Sequence, residues 1–265
     1  VDNAEAAKLA GILSDFPNDS SVAALAEQYL FRYYNDANVD PETNGEYLFL
    51  NRILPYCRTV FDVGASGGEW AERALQINPS IGLHCFEPLP LNQLSLVSRI
   101  GGRAVVNACA VGAVDGRMSL NVLAEDRDSN WQLSSLYARE QGVFGEAHKM
   151  PVDVISLETY CQRNRIEHID FLKIDVEGAE VDVLTGAARL LREGRIMAVQ
   201  FEYGTTWLDA RCQLRDVFDL VQGTGYVVGK LTPDGYRLFD RYWSGLDSFR
   251  YSNWLILHPD IARDA

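Results

Sequence analysis

The sequence predicts an α/β chain built on a doubly wound, mostly parallel seven-stranded sheet, with an N-terminal helical extension before it. Two observations predict this. After residue 57 the chain shows seven short apolar runs of strand length, each followed by a helix-length segment. Continuous apolar strands alternating with helices imply a parallel sheet covered on both faces. Before that point the apolar residues recur at helical spacing instead, as in "SVAALAEQYLFRYY".

Taken in order, residues 1–56 read as the helical extension. Two or three helices fall between Ala4 and Leu54, with Ser20 or Ser21 placed to cap and Pro17 and Pro41 as punctuation. Residues 57–265 read as the sheet domain. Its strands are expected at Thr59 to Val63, Leu83 to Phe86, Ala104 to Cys109, Phe171 to Ile174, Ile196 to Phe201, Tyr226 to Lys230 and Trp254 to Leu257. Between Leu123 and Pro151 the regularity lapses, and a connection that long in a compact domain is expected to be functional, so 124–150 reads as a lid-like insertion.

The chain has 265 residues, 47% of them hydrophobic, and a net charge of −13, enough apolar content for a large core. Such a charge opposes nucleic-acid binding, which depends on clustered Lys and Arg releasing counterions. Neutral or cationic small-molecule partners are expected, and a homo-oligomer is compatible. Cys57, Cys85, Cys109, Cys161 and Cys212 show no metal-type spacing and read as buried reduced thiols, the pattern of a cytoplasmic protein. No apolar stretch approaches the roughly 20 residues of a membrane span, and no signal-peptide pattern is seen.

In an open parallel sheet, ligands bind beyond the carboxyl ends of the strands. Here four runs end on acids: Asp62, Glu87, Asp175 and Glu202. The first leads into "VFDVGASGGEW" and then a helix-like segment, the context in which a glycine turn brings backbone N–H groups to a ligand. The dinucleotide fingerprint fails at Ser66, where it needs glycine. Asp62 beside the turn attracts a cationic amine and repels phosphate, and Glu87, about 20 residues further on, can accept hydrogen bonds from both ribose hydroxyls. An amine, a ribose and no phosphate describe S-adenosylmethionine. The competing readings are a purely structural turn and an NAD(P)-dependent oxidoreductase.

The chain resembles the FkbM-type S-adenosylmethionine-dependent O-methyltransferases from about Val60 to Glu202, most specifically in "DFLKIDVEGAE", Asp170 to Glu180. Supporting matches are "FDVGA" at Phe61 to Ala65, "FEP" at Phe86 to Pro88, "AVG" at Ala110 to Gly112, "SSL" at Ser134 to Leu136 and "GA" at Gly186 to Ala187. Two positions depart from the family pattern: Ser66, where Asn is usual, and Glu158, where Asp is common. Ser66 keeps a hydrogen-bonding side chain. The resemblance implies a Rossmann-like methyltransferase fold. It places Asp62, Gly64, Ala65, Ser66 and Gly68 along the methionine half of the cofactor, Glu87 on the ribose and Asn107 near the adenine. The competing role for Asn107 is to close a strand edge.

Period-two alternation puts Phe171, Lys173 and Asp175 on one face of their strand. A buried lysine is costly unless paired, so Lys173 reads as an ion-pair partner that holds an acid in place. Asp175 is placed to contact the acceptor hydroxyl, act as a base or ligate a metal. With Glu202 it could form a two-carboxylate site for a divalent cation such as magnesium, or for a sugar diol. Glu177 and Glu180 read as charges at a helix start. His148, in the lid, joins Asp175 and Glu202 as a candidate base, whereas His84, His168 and His258 read as structural. Trp131, Tyr137 and Phe144 in the lid, Tyr203 and Trp207 after the fifth strand, and the late "RYWSGLDSFRY" either meet a sugar ring or macrocycle or pack the domain. The expected function is methyl transfer to a hydroxyl of a sugar or glycosylated natural product. The rival from another class is a non-catalytic S-adenosylmethionine-binding regulatory module.

Overall fold

The computed structural model describes residues 3–16, 18–123 and 147–262. Three helices open the chain: α1 (Asn3–Ser14), α2 (Ser20–Tyr34) and α3 (Glu46–Ile53). The alternating region follows as β1 (Thr59–Val63), α4 (Glu69–Ile77), β2 (Gly82–Phe86), α5 (Pro90–Ile100), β3 (Ala104–Asn107), β4 (Ala110–Val111), β5 (Gly116–Leu123) and β6 (Ala147–Ile155). It continues with α6 (Leu157–Asn164), β7 (Ile169–Ile174), α7 (Glu180–Thr185), α8 (Ala188–Arg192), β8 (Ile196–Tyr203), α9 (Thr206–Ala210) and α10 (Leu214–Val221). The chain ends in β9 (Val227–Thr232), β10 (Gly235–Phe239), β11 (Ser252–Leu257) and α11 (Pro259–Ala262).

The main sheet has eight strands in the order β10-β9-β11-β8-β7-β1-β2-β3, and a separate three-stranded sheet runs β4-β6-β5. The fold is α/β and doubly wound, as expected, but the strand count and directions need correction. β8, β7, β1, β2 and β3 pair in parallel, whereas β11 pairs antiparallel to both β8 and β9, and β9 to β10. The additional strand follows from "TPDG": Pro233 and Asp234 are turn residues, and they fold β10 back on β9 with Gly235 opposite Thr232. The strand expected from Ala104 to Cys109 ends at Asn107 as β3, and the next strand, β4, starts beyond it at Ala110 and belongs to the smaller sheet.

Of the expected lid, residues 147–150 belong to β6, paired with β5. Its remainder, with Trp131, Tyr137 and Phe144, lies outside the described residues. No described helix is long and apolar enough to cross a membrane. Helix α2 buries none of its residues, whereas α3 packs Phe49 and Leu50 into the core.

Two apolar layers cover the main sheet. Phe61, Val63, Leu172 and Ile174 face one way, toward Leu157, Val183 and Trp207. Val60, Phe171, Ala198 and Leu255 face the other, toward Phe49, Trp70 and Ala74. On this second face the alternation continues into polar residues toward the carboxyl ends of the parallel strands: Asp62, Lys173, Gln200 and Asn253, all buried. The chain winds outward in both directions from β1, which lies between β2 and β7. Chain reversal at that point leaves a crevice beyond the carboxyl ends of β1 and β7.

The "AVG" and "GA" stretches meet where the two sheets join. A Cβ on Gly186 would lie 2.1 Å from the carbonyl oxygen of Gly112, so backbone contact there requires glycine. Gly186→Ala is therefore expected to cost about 2 kcal/mol or more of stability, read as a lowered denaturant midpoint with unchanged slope.

Candidate active site

The crevice is built from four strand ends. After β1 the chain turns at Gly64, whose φ is +84° and whose hypothetical Cβ would fall 1.7 Å from the carbonyl oxygen of Asp175. Only glycine allows the β1 turn and the β7 end to touch. Ser66, itself at φ +45°, donates its backbone N–H to Glu87 Oε2 at 2.8 Å, and Leu89 N donates to Glu87 Oε1 at 2.7 Å. The Glu87 backbone N–H donates in turn to the Asn107 carbonyl. Glu87 is thus fixed at the end of β2, 4% exposed, with burial raising its pKa.

The segment Asp170 to Glu180 has a structural reason at several positions. The Asp170 carboxylate accepts from the N–H groups of Arg58 and Thr59, which ties down the start of β1. Lys173 is buried and donates to Asp175 Oδ2 at 2.8 Å. Glu180 accepts from Val176 N and Gly178 N and so holds the turn after β7; burial pushes its pKa up to about 8. Glu177 departs from the helix-start role expected of it, since with φ +56° it lines the crevice.

Two adjoining clefts open here. One runs over β2 and is lined by Glu87, Leu89, Asn92, Ala110 and Leu120. The other, about 780 Å³, runs over β7 and β8 and is lined by Trp70, Lys173, Glu202, Thr205, Thr206 and Tyr251, among others. They share Gly64, Ser66, Asp175 and Glu177. At this seam Asp175, Glu177 and Glu202 bring carboxylate oxygens within 4.8 Å of one another. Burial first, then the charges of Asp175, Glu177 and Glu180, raise the pKa of Glu202 well above the ordinary value.

Asp62 is fully buried below the turn, and neither of its oxygens has a hydrogen-bond partner among the described residues. Burial pushes its pKa up to about 7, against the pull of Lys173. An orphaned buried carboxylate beneath a glycine turn, with a second acid at the next strand end, suits a ligand that carries a cation and a diol.

The chain matches the sequence model described as "Methyltransferase FkbM domain" over residues 62–228, well over half its length. It belongs to the FkbM methyltransferase family. The curated 2-O-methyltransferase NoeI of Sinorhizobium fredii (strain NBRC 101917 / NGR234) is 28% identical over 171 residues, covering 61% of this chain and 70% of that protein. Among solved structures, a SAM-dependent methyltransferase from Agrobacterium tumefaciens is 10% identical with a TM-score of 0.44, over 83% of this chain and 63% of that one. The plantazolicin methyltransferase BpumL in complex with SAH is 8% identical with a TM-score of 0.42, over 92% of each chain. Superpositions at that level add nothing to the sequence match.

As an FkbM methyltransferase the protein is S-adenosylmethionine-dependent, which removes the nicotinamide reading. Of the residues expected at the cofactor, Gly64, Ala65, Ser66 and Glu87 line the two clefts. Asp62 lies below the lining. Gly68, at φ +89°, packs instead on α5, where a Cβ would meet Leu96 Cδ1 at 2.7 Å. Asn107 turns inward and donates to the Cys85 carbonyl at 3.0 Å, the strand-edge role. Among the candidate bases, Asp175 and Glu202 come together at the seam, but His148 does not join them. It is exposed on β6, opposite Val122, and is not part of either lining. Tyr203 and Trp207 are fully buried and belong to the core. Asn92, Leu89 and Leu120 gave no sequence signal, because their places depend on α5 and the second sheet.

Glu87→Ala is expected to weaken S-adenosylmethionine binding by about tenfold or more in calorimetry, since it removes the acceptor expected at the ribose and frees two backbone donors. Asp62 and Glu180 bind protons more tightly folded than unfolded, so the stability they contribute is lost as pH rises through about 7 and about 8. These two groups should therefore draw down the thermal midpoint of the cofactor-free enzyme as pH rises from about 4 to about 8, and Asp62→Asn should remove its part of that fall below about pH 7.

Proposed function

We propose that this methyltransferase transfers its methyl group to a hydroxyl of a small neutral acceptor, a sugar or a glycosylated metabolite, in a reducing, cytoplasmic setting. The observation that carries this reading is the seam where the two clefts share Gly64, Ser66, Asp175 and Glu177. A cofactor along the β2 cleft and an acceptor in the β8 cleft can meet only there. The printed activity of the Sinorhizobium relative, 2-O-methyl transfer, supports oxygen as the acceptor atom. A net charge of −13 and the acids of the seam favour neutral acceptors over nucleic acid or phosphorylated ones. The five cysteines are unpaired, which suits a reducing compartment.

When bound, S-adenosylmethionine supplies a methyl group already activated on a cationic sulfur. Glu87 would hold the ribose, and the backbone of Gly64 to Ser66 would lie along the amino-acid end. Asp175, fixed by Lys173, accepts a hydrogen bond from the acceptor hydroxyl and orients it. Glu202 would take the proton that the hydroxyl gives up on becoming a methyl ether. A carboxylate whose proton affinity has been raised is a stronger base than an ordinary one.

A second reading of the same acids follows from the 4.8 Å convergence of Asp175, Glu177 and Glu202. An all-oxygen donor set of this kind suits magnesium, with Lys173 competing for Asp175. Removal of divalent ions by chelator separates the two readings: turnover that persists supports the base, and turnover restored only by magnesium supports the ion.

S-adenosylhomocysteine release across a panel of sugars tests the proposal, and a protein that binds the cofactor but turns over no member would defeat it in favour of a regulatory module. Glu202→Gln is expected to lower kcat by about 100-fold or more while cofactor affinity stays within about twofold. Because Glu202 must be unprotonated to act, kcat should rise with pH through its elevated pKa, and the variant should lose that limb.

A further inference from the structure

Five residues of the larger cleft lie outside the stretch that matches the family: Ala37 and Val39 before it, and Phe249, Arg250 and Tyr251 after it. The two segments are joined into one wall. Ala37 N donates to the Tyr251 carbonyl at 2.8 Å, and Lys230 on β9 forms a buried ion pair with Asp36. Arg250 reaches Glu27 at 3.2 Å and lies 4.3 Å from the centre of the Phe31 ring. From behind, the buried Tyr203 hydroxyl accepts from Phe249 N at 2.9 Å. A wall anchored by a buried charge pair and backbone hydrogen bonds has a fixed shape.

Within the wall, Tyr251 has the chemistry that the seam lacks. Asp175, Glu177 and Glu202 as carboxylates only accept hydrogen bonds, and the ammonium of Lys173 is engaged by Asp175. The Tyr251 hydroxyl accepts from Asn253 Nδ2 at 3.3 Å, which leaves its own proton to donate. Asn253 stands opposite Glu202 in the sheet register. Burial and then the charges of Glu202, Glu46 and Asp175 keep the phenol protonated, so it serves as a donor beside the acids.

We infer that acceptor selection resides in this wall, and that Tyr251 recognises the acceptor by donating to an oxygen vicinal to the hydroxyl being methylated. The substrate class is therefore a polyol with two neighbouring oxygens, one giving its proton to the seam and the other receiving one from Tyr251. This rests on the hydroxyl-acceptor reading above and narrows it.

The test uses the full chain with a turnover-competent sugar and its analogue deoxygenated at the neighbouring carbon. Tyr251→Phe is expected to raise KM for the sugar about tenfold with kcat within about twofold, and to leave the already weakened deoxy analogue unaffected. Val39→Trp, at a position 69% exposed and so tolerant of a large ring, is expected to raise KM more for a disaccharide than for a monosaccharide. Calorimetry with S-adenosylhomocysteine verifies that both variants are folded. Equal effects of Tyr251→Phe on sugar and deoxy analogue, or none on either, would overturn the role of Tyr251. A Val39→Trp variant with unchanged KM values would overturn the selecting wall. Absence of wild-type turnover on every hydroxyl acceptor would overturn this inference together with the reading it rests on.

Discussion

Lys173 sits in the middle of the main sheet, and its charge sets the terms for everything at the carboxyl edge. Desolvating a charge costs several kcal/mol, whereas one carboxylate at about 4 Å returns about 4 kcal/mol at an effective dielectric of 20. A single partner barely offsets the burial. Asp175 at 2.8 Å provides the direct pair, and Asp62 stands opposite Lys173 on β1 in the sheet register. Glu46, brought in by α3, adds a third acid and is held by Gln200 Nε2 at 2.9 Å. Once Glu202 joins from β8 the acids outnumber the lysine, and Glu46, Asp62 and Glu202 all bind protons more tightly than usual. This surplus of acids lies where the crevice opens, and a cation placed there would lower their proton affinity again. Helix α3 is part of that balance, because an apolar residue at position 46 would remove one of the two acceptors of Gln200 Nε2, leaving Asn253 Oδ1.

The parts of this arrangement that were legible in the sequence are those decided by neighbours along the chain. Parallel strands buried on both faces appear as apolar runs that stop near the crevice, so three of the four acids at their ends, Glu87, Asp175 and Glu202, line the clefts, whereas Asp62 lies beneath them. The pairing of Lys173 with Asp175 followed from period two alone. The same alternation places Tyr203 on the face opposite Glu202, a signal that would have assigned it to the core. Other features depend on pairings far apart in the chain. Strand β10 is half-exposed and does not form an apolar run, and Asn107 reads the same whether it turns toward a ligand or toward the Cys85 carbonyl. Tyr251 follows Ala37 by more than two hundred residues and meets it only through the folded sheet, so no local pattern could announce the wall.

Gly64 explains why the two halves of the site can be treated separately. Because no Cβ fits between the β1 turn and the Asp175 carbonyl, the spacing between the cofactor side and the seam acids is set by backbone contact rather than by side chains. That spacing is insensitive to substitutions elsewhere in the clefts. Among the described residues the opposite wall is anchored by other groups, Asp36, Glu27 and Tyr203. Side chains at positions 39 and 251 can therefore change the shape and hydrogen bonding offered to an acceptor without moving Glu87, Asp175 or Glu202. A fold with in-line chemistry fixed by backbone and acceptor choice carried by residues outside the shared domain can take on new acceptors while its reacting geometry stays the same.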